Sequence, residues 1–378
     1  MMTKEEYMQR LRDALQAYDK EFVDEILDNY KEHFDAGIRS GRTEQEICEE
    51  LGAVENLVKD IEEMLGDMDI HTHQPDLFTA VQPHQAQYDE ISRIELALVS
   101  MDVEISPSSD GKFHAELQSG EELSKYLNET VSDGRYYASE ITHNYKNDVN
   151  GRGLLRMILG NMNNQSQTLI LKVPSVLNSV KVKTISGDVE LNALSCKALN
   201  LETVSGDIEL QNCKSETSLL KTTSGDINLE DVTGEEAVLQ SASGDMSLHG
   251  VEIAKECSFS GASGDMDLNE VKTERAKMHS ASGDMHLRKV EMTQECNISS
   301  SSGDIDAELF SNNISARTTS GDINVCIDTR GKKRYISGKT LSGSMRMESD
   351  LYEMPFANET ENVIIANVNS VSGTVRIK

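Results

Sequence analysis

The sequence predicts a mainly β protein: a stacked, β-helix-like solenoid with rungs of about 19 residues, preceded by a small all-α helical domain. Three observations carry this. The tripeptide Ser-Gly-Asp recurs at 186–188, 205–207, 224–226, 243–245, 263–265, 282–284, 302–304 and 320–322, with successive spacings of 19, 19, 19, 20, 19, 20 and 18. Apolar and polar residues alternate on both sides of each copy, as strands with one buried face require. No proline lies between Pro174 and Pro355, so a ladder of backbone hydrogen bonds can run unbroken.

The first 66 residues have a different period. Thr3 and Glu6 form a capping box opening a helix, with Tyr7, Met8, Leu11, Ala14, Leu15 and Tyr18 at helical spacing. A second helix carries Phe22, Val23, Ile26, Leu27, Tyr30 and Phe34 on one face and stops near Gly37 to Gly41. Thr43 and Glu46 form another capping box, for a short helix broken at Gly52. A last helix turns Val54, Leu57, Val58, Ile61, Met64 and Leu65 inward.

Residues 43–65 have the spacing of a DNA-binding helix-turn-helix, but charge decides against it. Eight acidic residues and Lys59 alone would meet the phosphates with the wrong sign. The whole chain agrees: 65 acidic and 36 basic side chains give a net charge of -29, which repels nucleic acid and anionic lipid. Trp is absent and aromatics are 4%, so stacking platforms for bases or sugars are scarce. A bundle this small is marginal alone, so docking onto a protein partner is physically sensible.

Tyr30-x-x-His33-Phe34 and Glu46-Ile47-x-x-x-Leu51-Gly52 lie in a segment, 3–65, that resembles the HAAS-type (DUF1700) helical signalling domain. Members are often membrane proteins and are often associated with PadR-like transcription regulators. The resemblance therefore implies a signalling partner, with a PadR-like regulator as the example.

Residues 67–87, with Pro75, Pro83 and three histidines, read as a linker. His71, His73 and His84 read as exposed linker histidines, so no metal site is assigned there. From about Ile91 a period of two begins, in Ile94, Leu96 and Leu98 and again in Val103 and Ile105. Residues 88–175 read as a β-rich lead-in that caps the solenoid, whose first rung would otherwise face water.

Residues 176–378 hold the repeat. After each Asp comes Val189, Ile208, Ile227, Met246, Met266, Met285, Ile305 or Ile323, and two residues later Leu191, Leu210, Leu229, Leu248, Leu268, Leu287, Ala307 or Val325. Six after the Asp stand Leu194, Cys213, Val232, Val251, Val271, Val290 and Phe310. Each unit is a strand, a tight Ser-Gly-Asp turn, a second strand and a return. One unit has too little apolar face to stand alone, but stacking at about 4.8 Å builds a continuous core. The Gly supplies either a positive φ or a close backbone approach. The Asp accepts from nearby backbone N–H groups, as in Asx-turns. Degenerate copies follow at Ser342-Gly343-Ser344 and Ser372-Gly373-Thr374.

The repeated Thr/Ala-Ser-Gly-Asp-Ile/Met-x-Leu and the preceding Leu171-Lys-Val173-Pro174 resemble the DUF4097 family, β-strand repeat proteins labelled as adhesins. The resemblance covers 88–378, and surface adhesion is what the label implies.

The chemistry of sites points away from catalysis. Stacking aligns the eight aspartates in one column, which invites a cation, yet each turn offers one Gly and one Asp where calcium β-rolls use a ligand-rich turn. A polysaccharide-acting β-helix enzyme needs distinct acids, bases and cations in one cleft, and a uniform column lacks that asymmetry. His249, His279 and His286 read as surface strand residues. No metal, cofactor or catalytic residue is assigned. Cys48, Cys196, Cys213, Cys257, Cys296 and Cys326 form no Cys-x-x-Cys pair. Cys257 and Cys296 fall two rungs apart and read as core thiols. Arg330-Gly-Lys332-Lys333-Arg334 is the one basic cluster, a loop able to dock an acidic surface such as another copy's helical domain.

The start of the chain shows no apolar signal region, and no run reaches the ~18 apolar residues of a membrane span. The expectation is a non-enzymatic cytoplasmic interaction protein, with no nucleic-acid partner and no membrane span, compatible with a homo-oligomer. A surface- or envelope-associated adhesin is the alternative.

Overall fold

The alternation on either side of each Ser-Gly-Asp becomes two strands in the computed structural model, which describes residues 3–14, 27, 31, 34, 43–45, 54, 91–141, 167–347 and 363–378. The linker histidines, Cys48 and most of the expected helical positions lie outside the described residues.

A rung begins with a short strand such as Ile208–Gln211, Ile227–Glu230 or Met246–His249. It continues into a long one such as Lys214–Thr222, Thr233–Ser241 or Glu252–Gly261. Short strands pair in parallel with short ones, and long with long, in the neighbouring rungs. Ile208 and Leu210 face inward and Glu209 outward. Each long strand bends where two successive side chains, such as Glu216 and Thr217, both face solvent. The enclosed space is one apolar core running the length of the stack. All the inward residues directly after the aspartates, Val189 to Ile323, are buried.

A single left-handed residue joins the two strands: Ala193, Asn212, Asp231, Gly250, Glu270 and Lys289 all have positive φ. The spacing irregularities fall at bends. The first 20-residue interval adds a residue between Ile253 and Glu256 opposite Gly234 and Glu236, and the second adds one between Met292 and Glu295. The 18-residue interval has no left-handed joint, so Leu309 rather than Phe310 pairs with Val290 and takes the inward place. This corrects the expected column: Phe310 pairs with Glu291, and its ring is covered by the Arg330 guanidinium.

Chain order and stacking order part at both ends. Arg93–Ala97 lies between Arg135–Glu140 and Val176–Lys183, and Asp102–Pro107 lies between Thr168–Val173 and Val189–Asn192. Two antiparallel strands, His114–Leu117 and Leu127–Ser132, lie outside them and end the parallel ladder. At the other end Val363–Ser370 and Val375–Ile377 insert between the rung of Ile305–Ile327 and the strands Lys333–Thr340 and Met345–Met347. The last residues of the chain are therefore an inner rung.

At the start of the chain the capping box closes in both directions. Glu6 N donates to Thr3 Oγ1 at 3.2 Å and Thr3 N to Glu6 Oε2 at 3.0 Å, opening the helix Lys4–Ala14. Tyr7 and Leu11 are buried with Leu27, Phe34 and Val54, and the Tyr7 and Phe34 rings meet edge to face at 5.7 Å. Among the described residues no helix is long and apolar enough to cross a membrane.

Candidate functional site

The corner of each rung is the most repeated polar structure in the chain, and three ladders build it. In the first, the glycines approach so closely that a Cβ on Gly206 would sit 2.0 Å from the carbonyl oxygen of Gly187, and one on Gly244 1.8 Å from that of Gly225. Their φ values are not left-handed. Close approach, not a positive φ, is the reason for Gly.

In the second ladder a buried hydroxyl three residues before the Gly accepts its N–H. Gly225 N donates to Thr222 Oγ1 at 3.0 Å, and Thr222 Oγ1 donates to Gly206 O in the preceding rung at 3.3 Å. Thr184, Thr203, Ser241, Ser280, Ser300, Thr318 and Ser370 accept in the same way. Gly261 occupies the equivalent place opposite Ser241 and Ser280 and has no hydroxyl to offer.

The third ladder is the aspartate column. Asp207 N donates to Asp188 Oδ1 at 2.8 Å, Asp226 N to Asp207 Oδ1 at 2.8 Å and Asp245 N to Asp226 Oδ1 at 2.7 Å, and the pattern continues to Asp322. The acceptance runs from rung to rung, not within the turn as an Asx-turn would have it. The column is longer than the repeat suggests. Asp102 accepts from Asp188 N at 3.0 Å, and Asp322 from Thr374 N at 2.6 Å. Asp102 escapes the motif because Met101 stands where the Gly would be. Its signal is the flanking Ser100 and the alternation Val103-Glu104-Ile105.

Burial pushes the Asp188 carboxyl above the usual range; the bond from Asp207 N opposes this, and the charges of Asp102 and Asp207 add to it. The carboxylates thus act as backbone acceptors. Among the described residues, no group of three or more His, Cys, Asp or Glu is arranged to hold a metal.

The histidines stand on outward positions. His249 Nδ1 lies 3.0 Å from Asn269 Nδ2, His279 Nδ1 3.0 Å from Ser299 Oγ, and His286 pairs between Asp267 and Asp306. Cys257 and Cys296 are unbridged and fully buried with Ala276 between them, and burial raises both thiols, that of Cys296 to about 12. These are unreactive core groups.

The basic cluster is partly engaged within the chain. Arg330 makes a bidentate pair with Glu291, both contacts 2.7 Å, and its guanidinium lies over the Phe310 ring at 4.1 Å. Lys332 Nζ donates to Asn312 Oδ1 at 2.7 Å. The arginine holds the Glu291 carboxyl below the usual range.

In the helical segment an open groove lies beside the helix Lys4–Ala14, against Lys31 and Glu44. It is lined by Thr3, Lys4, Met8, Arg12, Lys31 and Glu44. Lys4 N donates to Glu44 Oε2 at 2.9 Å, fixing one wall.

Three solved structures resemble the chain. One, from Parabacteroides distasonis and provisionally named a lipid-binding protein, is 16% identical and covers 77% of this chain and 93% of its own, with a TM-score of 0.42. One from Bacteroides fragilis, provisionally named an adhesin, is 16% identical over 77% and 94%, with a TM-score of 0.36. One from Clostridium sporogenes, provisionally named a cell adhesion protein, is 11% identical over 78% and 95%, with a TM-score of 0.23. No curated protein matches the sequence. The HAAS family matches residues 6–60. The Toastrack DUF4097 family matches residues 91–256 and 253–378, and with most of its length so covered the chain belongs to that family.

Proposed function

We propose that this protein is a non-enzymatic interaction protein. Its helical segment docks a protein partner, in the class of a PadR-like regulator, and its solenoid offers a long rigid binding face. The observation that carries this reading is the uniformity of the stack. Nearly every corner from Asp188 to Asp322 repeats the same Gly, hydroxyl and Asp ladders, Gly261 alone lacking the hydroxyl, and each aspartate's Oδ1 is taken by a backbone N–H. Catalysis needs unlike groups converging on one substrate; a periodic column suits rigidity. The groove beside Met8 and Arg12 supports the docking role, since its mixed apolar and charged lining suits a partner helix or loop.

The same reading puts the protein in the cytoplasm. The competing adhesin reading puts the solenoid outside the cell, and protease treatment of intact cells separates the two. With fractionation and an antibody against residues 176–378, the solenoid stays protected until the cells are lysed. Cleavage from outside overturns the cytoplasmic reading and makes cell-surface ligands the leading function.

A further inference from the structure

The outward side chains of the short strands form one continuous solvent column. Inside Ile170, which stands on the strand next to Glu104, its members in stacking order are Glu104, Glu190, Glu209, Asn228, Ser247, Asp267, His286, Asp306, Asn324, Arg376 and Arg346. One end carries three glutamates on adjacent rungs and the other two arginines on adjacent rungs. Like charges directly opposite one another destabilise a sheet. Burial and the charges of Glu104 and Glu209 both push the Glu190 carboxyl up. Gln211 donates to Glu209 at 2.7 Å. Among the described residues no cation pairs with Glu104 or Glu190, and no carboxylate with Arg346 or Arg376.

The two like-charged ends lie on the same face, and the column is self-complementary when reversed. Turned about a two-fold axis parallel to the strands, Glu104 of one copy meets Arg346 of another and Glu190 meets Arg376. The axis falls at Asp267, where the two copies' Asp267 side chains are the one like-charged contact, flanked by Ser247 against His286 on either side. We propose that this face is an isologous interface, on which two copies of the chain pair side by side with their stacks antiparallel. Such a contact closes on itself as a dimer. Ten steps of about 4.8 Å by a strand width of about 13 Å give about 600 Å² per copy, the lower limit for a specific interface. A polar contact of that size is reversible and salt-sensitive.

The decisive experiment uses the full chain in two charge-reversed forms, R346E/R376E and E104R/E190R, studied by light scattering and sedimentation at low and high salt. The unaltered chain gives a dimer mass at low ionic strength that falls to a monomer as salt rises. Each reversed form alone dimerises at least tenfold more weakly, because both of its paired ends repel. Mixing the two restores a one-to-one dimer, since positions 104 and 190 of each copy again meet opposite charges at 346 and 376 of the other. A monomer at all salts up to about 100 µM protomer overturns the proposal. So does a ladder of larger species, which indicates head-to-tail stacking. So does association lost in R346E/R376E but kept in E104R/E190R, which makes the acidic helical segment the partner of the arginines. Circular dichroism melts of both forms establish that they are folded.

Discussion

The main-chain nitrogen of Asp226 donates to Oδ1 of Asp207 at 2.8 Å, between adjacent rungs 19 residues apart in sequence. One side chain thus serves the backbone of the next repeat, so an apparent binding motif is a structural one. Asp207→Ala removes the acceptor and is expected to cost about 1 kcal/mol in urea melts. Asp207→Asn keeps an oxygen in place and should lose less than half of that.

The glycine ladder is far less tolerant. A Cβ on Gly244 would stand 1.8 Å from the Gly225 carbonyl oxygen, a backbone atom that can yield only by parting two rungs. Gly244→Ala should therefore cost roughly 3 kcal/mol or more. At Gly261 the nearest atom to an added Cβ is the mobile Met266 Cε at 3.0 Å. Gly261→Ser supplies the hydroxyl that Ser241 and Ser280 provide on either side, and should raise stability by about 0.5–1 kcal/mol. Denaturant midpoints of the two variants, compared with the parent, should move in opposite directions.

Ala193 is left-handed, with φ 54, at the joint where Gly250 stands three rungs further on. Ala193→Gly relieves the clash of its Cβ with the following carbonyl, and a gain of about 1 kcal/mol in thermal melts is expected.

The raised Asp188 carboxyl fixes the sign of one pH effect. Its folded value lies above the unfolded one, so the folded chain binds more protons between the two. Its contribution therefore falls as pH rises through that window. Asp188→Asn keeps the acceptor for Asp207 N and removes the charge. The variant should melt higher than the parent at pH 7 and converge with it below about pH 4. Glu291, whose carboxyl Arg330 lowers, has the opposite sign: its pairing is present near neutrality and lost as pH falls.

The aspartate column should be indifferent to calcium, because each Asp Oδ1 is already an acceptor for the next rung. Melts with millimolar Ca²⁺ and with chelator should share one midpoint. A rise with Ca²⁺ would show that the carboxylates bind the ion in the native state.

Much of the fold was legible in the sequence because a solenoid repeats its physics. The fixed return of Ser-Gly-Asp and the alternation around it lead to the stacked strands, and Thr3 and Glu6 to the first helix. Three features were not legible. A Gly in a turn is consistent with either left-handed backbone or close approach, and only the position of the neighbouring rung separates them. Asp102 belongs to the column without the motif, since Met101 replaces the Gly on a rung whose alternation alone gives it away. The order of the end rungs depends on which strands find each other. Val363–Ser370 and Arg93–Ala97 both fold inward past segments adjacent in sequence. The two ends of the outward charge column were invisible for the same reason: Arg376 and Arg346 become neighbours only through that reversal.

The docking role of the helical segment can be tested most directly in living cells, with a photo-crosslinking amino acid at Met8 of the full chain and, separately, at Ser247 on the solenoid. The account predicts a discrete protein adduct from Met8 that disappears when Arg12→Glu is added, and that is not formed from Ser247. No adduct from Met8, or the same adduct from both positions, would contradict it.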